Sequence, residues 1–190
     1  ISKPLKRNYF SKNYSDSYFS SSAATSIGHI RDAIERNEFK LNRREQAIAL
    51  ASLIYSADRI ANTVGHYEAF RKNVAGFKNF EYRLIAAKTN TKSKIYRRDA
   101  NELSREIKSD VVYIDPPYNS RQYSRFYHVL ETLTKWDSPQ LSGVALKPPT
   151  ENVSEYCKSR AVTAFADLVE NLDTKLVIVS YNNTYDSKST

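Results

Sequence analysis

The chain has 190 residues, 41% of them hydrophobic, which is enough for one sizeable core or two small ones. No apolar run is long enough to span a membrane, and the charged first ten residues do not resemble a signal peptide, so we expect a cytoplasmic protein. The single cysteine excludes an internal disulfide, and the three histidines lack the spacing of a zinc or haem site, so no metal is expected.

The net charge of +8 favours an acidic partner, and this charge is unevenly distributed. Residues 1–110 have a net charge of +9, whereas residues 111–190 have a net charge of −1. Such an asymmetry fits a lobe that binds nucleic acid joined to a catalytic lobe. An ordinary solvated basic surface is the alternative interpretation.

The residue pattern of the first half of the chain predicts mainly helices. The first 25 residues are rich in Ser, Asn and Lys and predict irregular structure. Isoleucines at helical spacing then predict a helix from Ser26 to about Arg36, with Ser21, Ser22 or Thr25 as its N-cap. A second helix is predicted from about Arg43 to Asn62 by the apolar positions Ala47, Leu50, Ala51, Ile54, Ala57 and Ala61.

The second half predicts a parallel α/β sheet. Residues 77–98 alternate apolar and polar residues, and within them 88–94 predict a hairpin tip or loop. A β-branched run at 111–114 ends where two prolines follow, because proline supplies no amide donor to a sheet. Helices around Phe126–Leu133 and Ala161–Leu172 come next, and a strand at 176–179 follows them.

The motif Asp115-Pro116-Pro117-Tyr118 comes directly after the first predicted strand. Ligands of open α/β sheets bind at the carboxyl ends of strands, which is where this motif lies. The Asp115 carboxylate and the Pro116 carbonyl are acceptors for an exocyclic amine, and Tyr118 offers a flat surface for stacking an aromatic ring. A turn after a strand is the alternative interpretation of these residue types.

The motif and its surroundings resemble the D12 class of adenine-specific DNA methyltransferases. The similarity continues through residues 119–131 and includes segments in the same order at 30–35, 50–63 and 179–183, so nearly the whole chain is covered. The resemblance implies a Rossmann-like methyltransferase sheet, S-adenosylmethionine as cofactor, and methyl transfer to N6 of adenine in double-stranded DNA. It also implies a base pocket formed by Asp115, Pro116, Pro117 and Tyr118.

The resemblance extends to further candidate residues. Asp99 is similar to the acidic residue that accepts a hydrogen bond from the cofactor's adenine, and a helix N-cap is the alternative. The resemblance also implies that Asp115 contacts the cofactor. Arg121, Gln122 and Arg125 are candidates for DNA contacts, or for the solvated first turn of a helix. We interpret His128 as a packing or polar residue, because the adenine amine needs no imidazole.

These expectations divide the chain into a basic, mainly helical lobe at 1–94 for DNA recognition and part of the catalytic domain at 95–190. The family's glycine-rich turn is missing, since Gly28, Gly65, Gly76 and Gly143 lie far apart. There is also no methionine. We therefore expect a piece of a longer protein, with the turn upstream and more sequence after Thr190, or a sequence from which methionines are missing.

Several functions fit this pattern. We expect a site-specific methyltransferase of a restriction-modification system, with a cognate restriction endonuclease or the missing N-terminal part as a partner. The alternatives are a non-catalytic DNA-binding half of a split methyltransferase, and an enzyme that methylates a planar amine in RNA or protein.

Overall fold

The computed structural model describes residues 5–72, 76–87, 92–117 and 120–181. The chain divides into two compact units, one comprising Ile1–Asn90 and Tyr123–Glu151 and the other Thr91–Gln122 and Asn152–Thr190. Residues Tyr123–Glu151 thus pack with the N-terminal part of the chain, and the predicted functional boundary between residues 94 and 95 stays a prediction. In the described ranges no helix is both long and apolar enough to cross a membrane.

The described residues combine helices with a small parallel sheet. The helices are α1 (Tyr9–Tyr14), α2 (Ser21–Glu35), α3 (Arg43–Asp58), α4 (Ala100–Ser104), α5 (Tyr123–Phe126), α6 (His128–Lys135) and α7 (Ala161–Glu170), with a 3-10 helix at Glu155–Cys157. The strands are β1 (Lys108–Ile114) and β2 (Asp173–Val179). The first unit contains α1, α2, α3, α5 and α6, and the second contains the sheet with α4 and α7.

Two helices predicted from apolar spacing, α2 and α3, are confirmed with changed ends. α2 begins five residues early because Ser20 is its N-cap, its hydroxyl accepting the Ala23 amide, whereas Ser21, Ser22 and Thr25 lie inside the helix. α3 begins at Arg43 as predicted, where Asn42 and Glu45 form a capping box that satisfies the first amides. It ends at Asp58 rather than near Asn62.

The expectation of irregular structure over the first 25 residues was wrong. Helix α1 lies there, and four aromatic residues of this region are fully buried in the core of the first unit: Phe10, Tyr14, Tyr18 and Phe19. Three of them follow one another at four-residue spacing, so their rings meet, with 4.9 Å between the centroids of Phe10 and Tyr14. The polar residues between them hid this apolar face in the sequence.

In the second unit β1 and β2 pair in parallel, which confirms the predicted strand direction. Ile114 lies opposite Val179, so both strands end at the same edge of the sheet. Both strands begin three residues before their predicted starts. The predicted helix around Phe126–Leu133 is divided into α5 and α6, and α6 stops where Trp136 takes a left-handed conformation with φ of 56°.

Residues 77–98 contain the stretch 88–94 that was predicted as a hairpin tip or loop. Within the described parts, 77–87 and 92–98, no strand is present. Residues 82–85 instead run along α3, where the amides of Arg83 and Ile85 donate to the hydroxyls of Ser56 and Ser52. Four of the seven residues of the predicted loop, 88–91, lie outside the described residues.

Candidate active site

The first three residues of the motif lie at the carboxyl end of β1, as predicted. The Ser180 amide donates to the Ile114 carbonyl over 2.9 Å and thereby holds the end of β2 beside the motif. Pro116 is buried, whereas Asp115 is exposed. Tyr118, together with Asn182 and Asn183, lies outside the described residues. The motif is therefore presented at the sheet edge where ligands of parallel α/β sheets bind.

A cavity of about 600 Å³ opens beside the motif. It is lined by Pro116, Pro117, Ser120, Tyr156, Cys157, Lys158, Ser159, Ala161, Val162, Phe165, Val179 and Tyr181. These residues come from the loop after β1, the 3-10 helix, the start of α7 and the end of β2. The volume lies within the range of roughly 300–1,000 Å³ that is usual for ligand pockets.

The wall formed by the 3-10 helix is held by a hydrogen-bond network. The Tyr156 hydroxyl donates to Asn101 Oδ1 over 2.6 Å, and Asn101 Nδ2 donates to Asp167 Oδ2 over 2.6 Å. Burial, followed by the charges of Asp99 and Asp167, raises the pKa of Tyr156, so the phenol stays protonated and can donate. Asn101 thus connects α4, α7 and the wall of the cavity.

Sequence analysis did not single out Tyr156 or Cys157. Residues 152–160 are polar and aperiodic, so the only signal was one aromatic residue and one cysteine in a turn-rich stretch. Cys157 is 8% exposed, and burial raises the pKa of its thiol. The protonated sulfur donates to the Arg121 carbonyl over 3.3 Å. Tyr156 and Cys157 are placed in the site by contacts with residues that are distant in the sequence.

Asp99 is the N-cap of α4. Its carboxylate accepts from the amide of Asn101 over 2.9 Å and from that of Glu102 over 3.2 Å. The capping role that the sequence left open is therefore present. A contact with a cofactor stays a prediction.

The three candidates for DNA contacts have different surroundings. Arg121 is exposed, and Gln122 is paired with the backbone of Ser154. Arg125 lies on α5 in the first unit, where its guanidinium donates to the Thr150 hydroxyl over 2.8 Å. Their contacts with DNA stay predictions.

His128 is fully buried, with its two ring nitrogens 3.0 Å from the Arg125 carbonyl and 2.7 Å from the Ala145 carbonyl. Burial lowers its pKa, although both carbonyl contacts oppose this effect. It therefore joins α6 to α5 and to the loop that contains Ala145, all within the first unit. Among the residues described, no group of three or more His, Cys, Asp or Glu is placed to hold a metal ion.

The chain belongs to the D12 class of N6 adenine-specific DNA methyltransferases, whose family model matches residues 2–185. The resemblance seen in the sequence is thereby confirmed. The chain is 38% identical to the modification methylase StsI of Streptococcus sanguinis, over 87% of this chain and 26% of that protein. It is 36% identical to the type II methyltransferase M.FokI of Planomicrobium okeanokoites, over 87% of this chain and 27% of that protein.

A third relative is the type II methyltransferase M.NlaIII of Neisseria lactamica, which is 34% identical over 87% of this chain and 51% of that protein. The chain spans about a quarter to a half of the length of these curated relatives. No solved structure matches it.

Proposed function

We propose that the protein containing this chain transfers a methyl group from S-adenosylmethionine to N6 of adenine in double-stranded DNA, as the modification enzyme of a restriction-modification system. The observation that carries this proposal is the position of Asp115, Pro116 and Pro117 directly after the parallel strand β1, where the two prolines line a cavity of about 600 Å³. The family and the relatives, which are modification and type II methyltransferases, support it.

In this proposal the motif recognises and activates the amine of an extruded base. The Asp115 carboxylate and the Pro116 carbonyl accept the two N–H groups of adenine N6, and Tyr118 stacks on the ring. Free N6 is a weak nucleophile because its lone pair is delocalised into the ring. Acceptors that favour a tetrahedral nitrogen stabilise the geometry that develops as the methyl arrives. The proton that N6 then loses goes to Asp115 or to water.

The residues of the site fit part of the cofactor. S-adenosylmethionine supplies the methyl group from a positively charged sulfur. Asp115 places an exposed carboxylate at the carboxyl end of the sheet, where the cofactor would bind. The Asp99 carboxylate accepts two capping hydrogen bonds and has further lone pairs that could accept from the amine of the cofactor's adenine. A Rossmann-like sheet belongs to this proposal, and the parallel register of β1 and β2 with helical connections supports it.

The proposed partners are double-stranded DNA and a cognate restriction endonuclease in the cytoplasm. The positive charge of the first 110 residues supports binding to phosphates, and we propose that Arg121 and Arg125 contribute to it. A modification methylase protects the sites that such an endonuclease cuts, which is why the two act together.

The test is transfer of labelled methyl from S-adenosylmethionine to duplex DNA by the full-length protein containing this chain. We expect N6-methyladenine in the digested DNA and a loss of rate on the order of 10²-fold or more in Asp115→Ala, because the acceptor at the reacting nitrogen is removed. Asp110→Ala is the matched control, since Asp110 lies on the same strand with 81% of its side chain exposed and pairs with Lys175. This control should keep its activity.

The other outcomes separate the alternatives. DNA binding without methyl transfer by the unmodified protein would favour the non-catalytic half of a split methyltransferase. If the labelled methyl group is found only in RNA or in protein, the substrate is RNA or protein and not DNA. Equal activity of Asp115→Ala and Asp110→Ala would remove Asp115 from the mechanism.

A further inference from the structure

The amide group of Gln122 is paired with both backbone groups of Ser154. The Ser154 amide donates to Gln122 Oε1 over 2.8 Å, and Gln122 Nε2 donates to the Ser154 carbonyl over 3.2 Å. A side chain bound through a donor and an acceptor at once is fixed in both position and orientation. Gln122 is half-buried, so its amide is partly shielded from competing water.

The residue before Gln122 makes a second connection to the same segment. The buried Cys157 thiol donates to the Arg121 carbonyl over 3.3 Å. Arg121 and Gln122, four and five positions after Pro117, are thus tied to Cys157 and Ser154 respectively. Together these three hydrogen bonds clamp the end of the motif loop to the segment that carries the 3-10 helix.

Ser154 connects Gln122 to the wall of the cavity. Its hydroxyl accepts the Tyr156 amide over 3.2 Å and caps the 3-10 helix Glu155–Cys157. Tyr156 and Cys157 line the cavity together with Pro116 and Pro117. A displacement of Ser154 would therefore move one wall of the cavity.

The motif loop is also held at its other end, where the Ser180 amide donates to the Ile114 carbonyl. The loop between residues 114 and 122 is consequently anchored at both ends. Gln122 is held through its side chain, whereas Ile114 and Arg121 accept the hydrogen bonds described above through their carbonyls.

We propose that Gln122 is a positioning residue that sets the distance between the motif and the wall formed by Tyr156 and Cys157, rather than the DNA contact expected from its place in the sequence. This inference rests on the proposed function of the same site. Chemistry on a held base is sensitive to small displacements, because a shift of about 1 Å costs on the order of 10²-fold in rate. The clamp thus affects turnover more than binding.

The experiment compares Gln122→Met and Gln122→Glu in the full-length protein. Met has a similar length and forms neither hydrogen bond, whereas Glu keeps the acceptor for the Ser154 amide but loses the donor to its carbonyl. Gln140→Met is the control, because Gln140 is an exposed glutamine of the first unit. The measurements are kcat and KM for methylation, Kd for duplex DNA, thermal unfolding, and hydrogen exchange at the Ser154 amide.

We expect kcat to fall about tenfold or more in both variants, with Kd for DNA within about twofold and with the melting temperature nearly unchanged. Exchange at the Ser154 amide should accelerate in Gln122→Met and not in Gln140→Met. A weaker Kd with normal kcat would overturn the proposal and restore Gln122 as a DNA contact. A loss of kcat that only follows the folded fraction, or normal values of both constants, would also overturn it.

The exchange measurement separates this inference from the proposed function. If the unmodified protein transfers no methyl group to DNA, the proposed function fails. Unchanged exchange at Ser154 in Gln122→Met shows instead that the clamp is absent.

Discussion

At the scale of single residues, Gly28 explains how α1 packs on α2. A Cβ at this position would lie 2.2 Å from Asn8 Oδ1, which is impossible without a shift. The Asn8 side chain needs this space, because its Oδ1 accepts the Ser11 amide and caps α1, while its Nδ2 donates to the Thr25 carbonyl over 2.9 Å. The missing side chain at residue 28 therefore permits the contact between the two helices.

Gly28→Ala should destabilise the protein despite the better helix propensity of alanine. The overlap costs about 1–3 kcal/mol, and the propensity gain offsets about 1 kcal/mol of it. We therefore expect the free energy of unfolding in urea to fall by up to about 2 kcal/mol. Gly76→Ala is the control, because no atom lies within 4 Å of a Cβ there. Equal stability of the two variants would contradict this explanation.

At the scale of elements, two serines of α3 hold the extended segment 82–85. The Ser56 hydroxyl accepts the Arg83 amide over 2.9 Å, and the Ser52 hydroxyl accepts the Ile85 amide over 3.0 Å. Both serines are buried and lie one helical turn apart, so they satisfy amides two residues apart in the segment. The helix thus provides the partners that a neighbouring strand would otherwise supply.

Ser52→Ala and Ser56→Ala should loosen this segment without unfolding α3. Each change leaves an amide without its partner, at a cost of about 1–3 kcal/mol. We expect hydrogen exchange to accelerate at Ile85 in the first variant and at Arg83 in the second, while amides within α3 keep their protection. Ser26→Ala, a helical serine of α2, should leave both amides unchanged. Faster exchange throughout the first unit would mean that the serines act on global stability instead.

These elements show what sequence patterns reveal and what they miss. α2, α3 and α7 were predictable because their apolar residues repeat at helical spacing, and the position of the motif followed from prolines that end β1. The hydrogen bonds of Gln122 and Tyr156 were not predictable, because their partners Ser154 and Asn101 lie 32 and 55 residues away. Hydrogen bonds over such separations leave no local periodicity.

At the scale of the whole molecule, one face of the sheet stays apolar and exposed. Val111 lies opposite Leu176, and Tyr113 lies opposite Ile178. The exposed fractions are 52% and 53% in the first pair and 64% and 46% in the second. Parallel sheets are normally covered on both faces, and the relatives are two to four times as long as the stretch they share with this chain. We therefore expect this face to pack against another apolar surface.

The isolated 190-residue chain should consequently self-associate through this face and bind a hydrophobic dye. The double variant Val111→Thr with Leu176→Thr places β-branched residues, which favour strands, at both positions but makes the face more polar. Sedimentation velocity should therefore show a shift towards monomer, and dye fluorescence should fall. Val144→Thr tests a valine that is 80% exposed in the first unit and should change neither value. A monomeric unmodified chain that binds no dye would show that this face needs no cover, and the additional length of the relatives would then have to pack elsewhere.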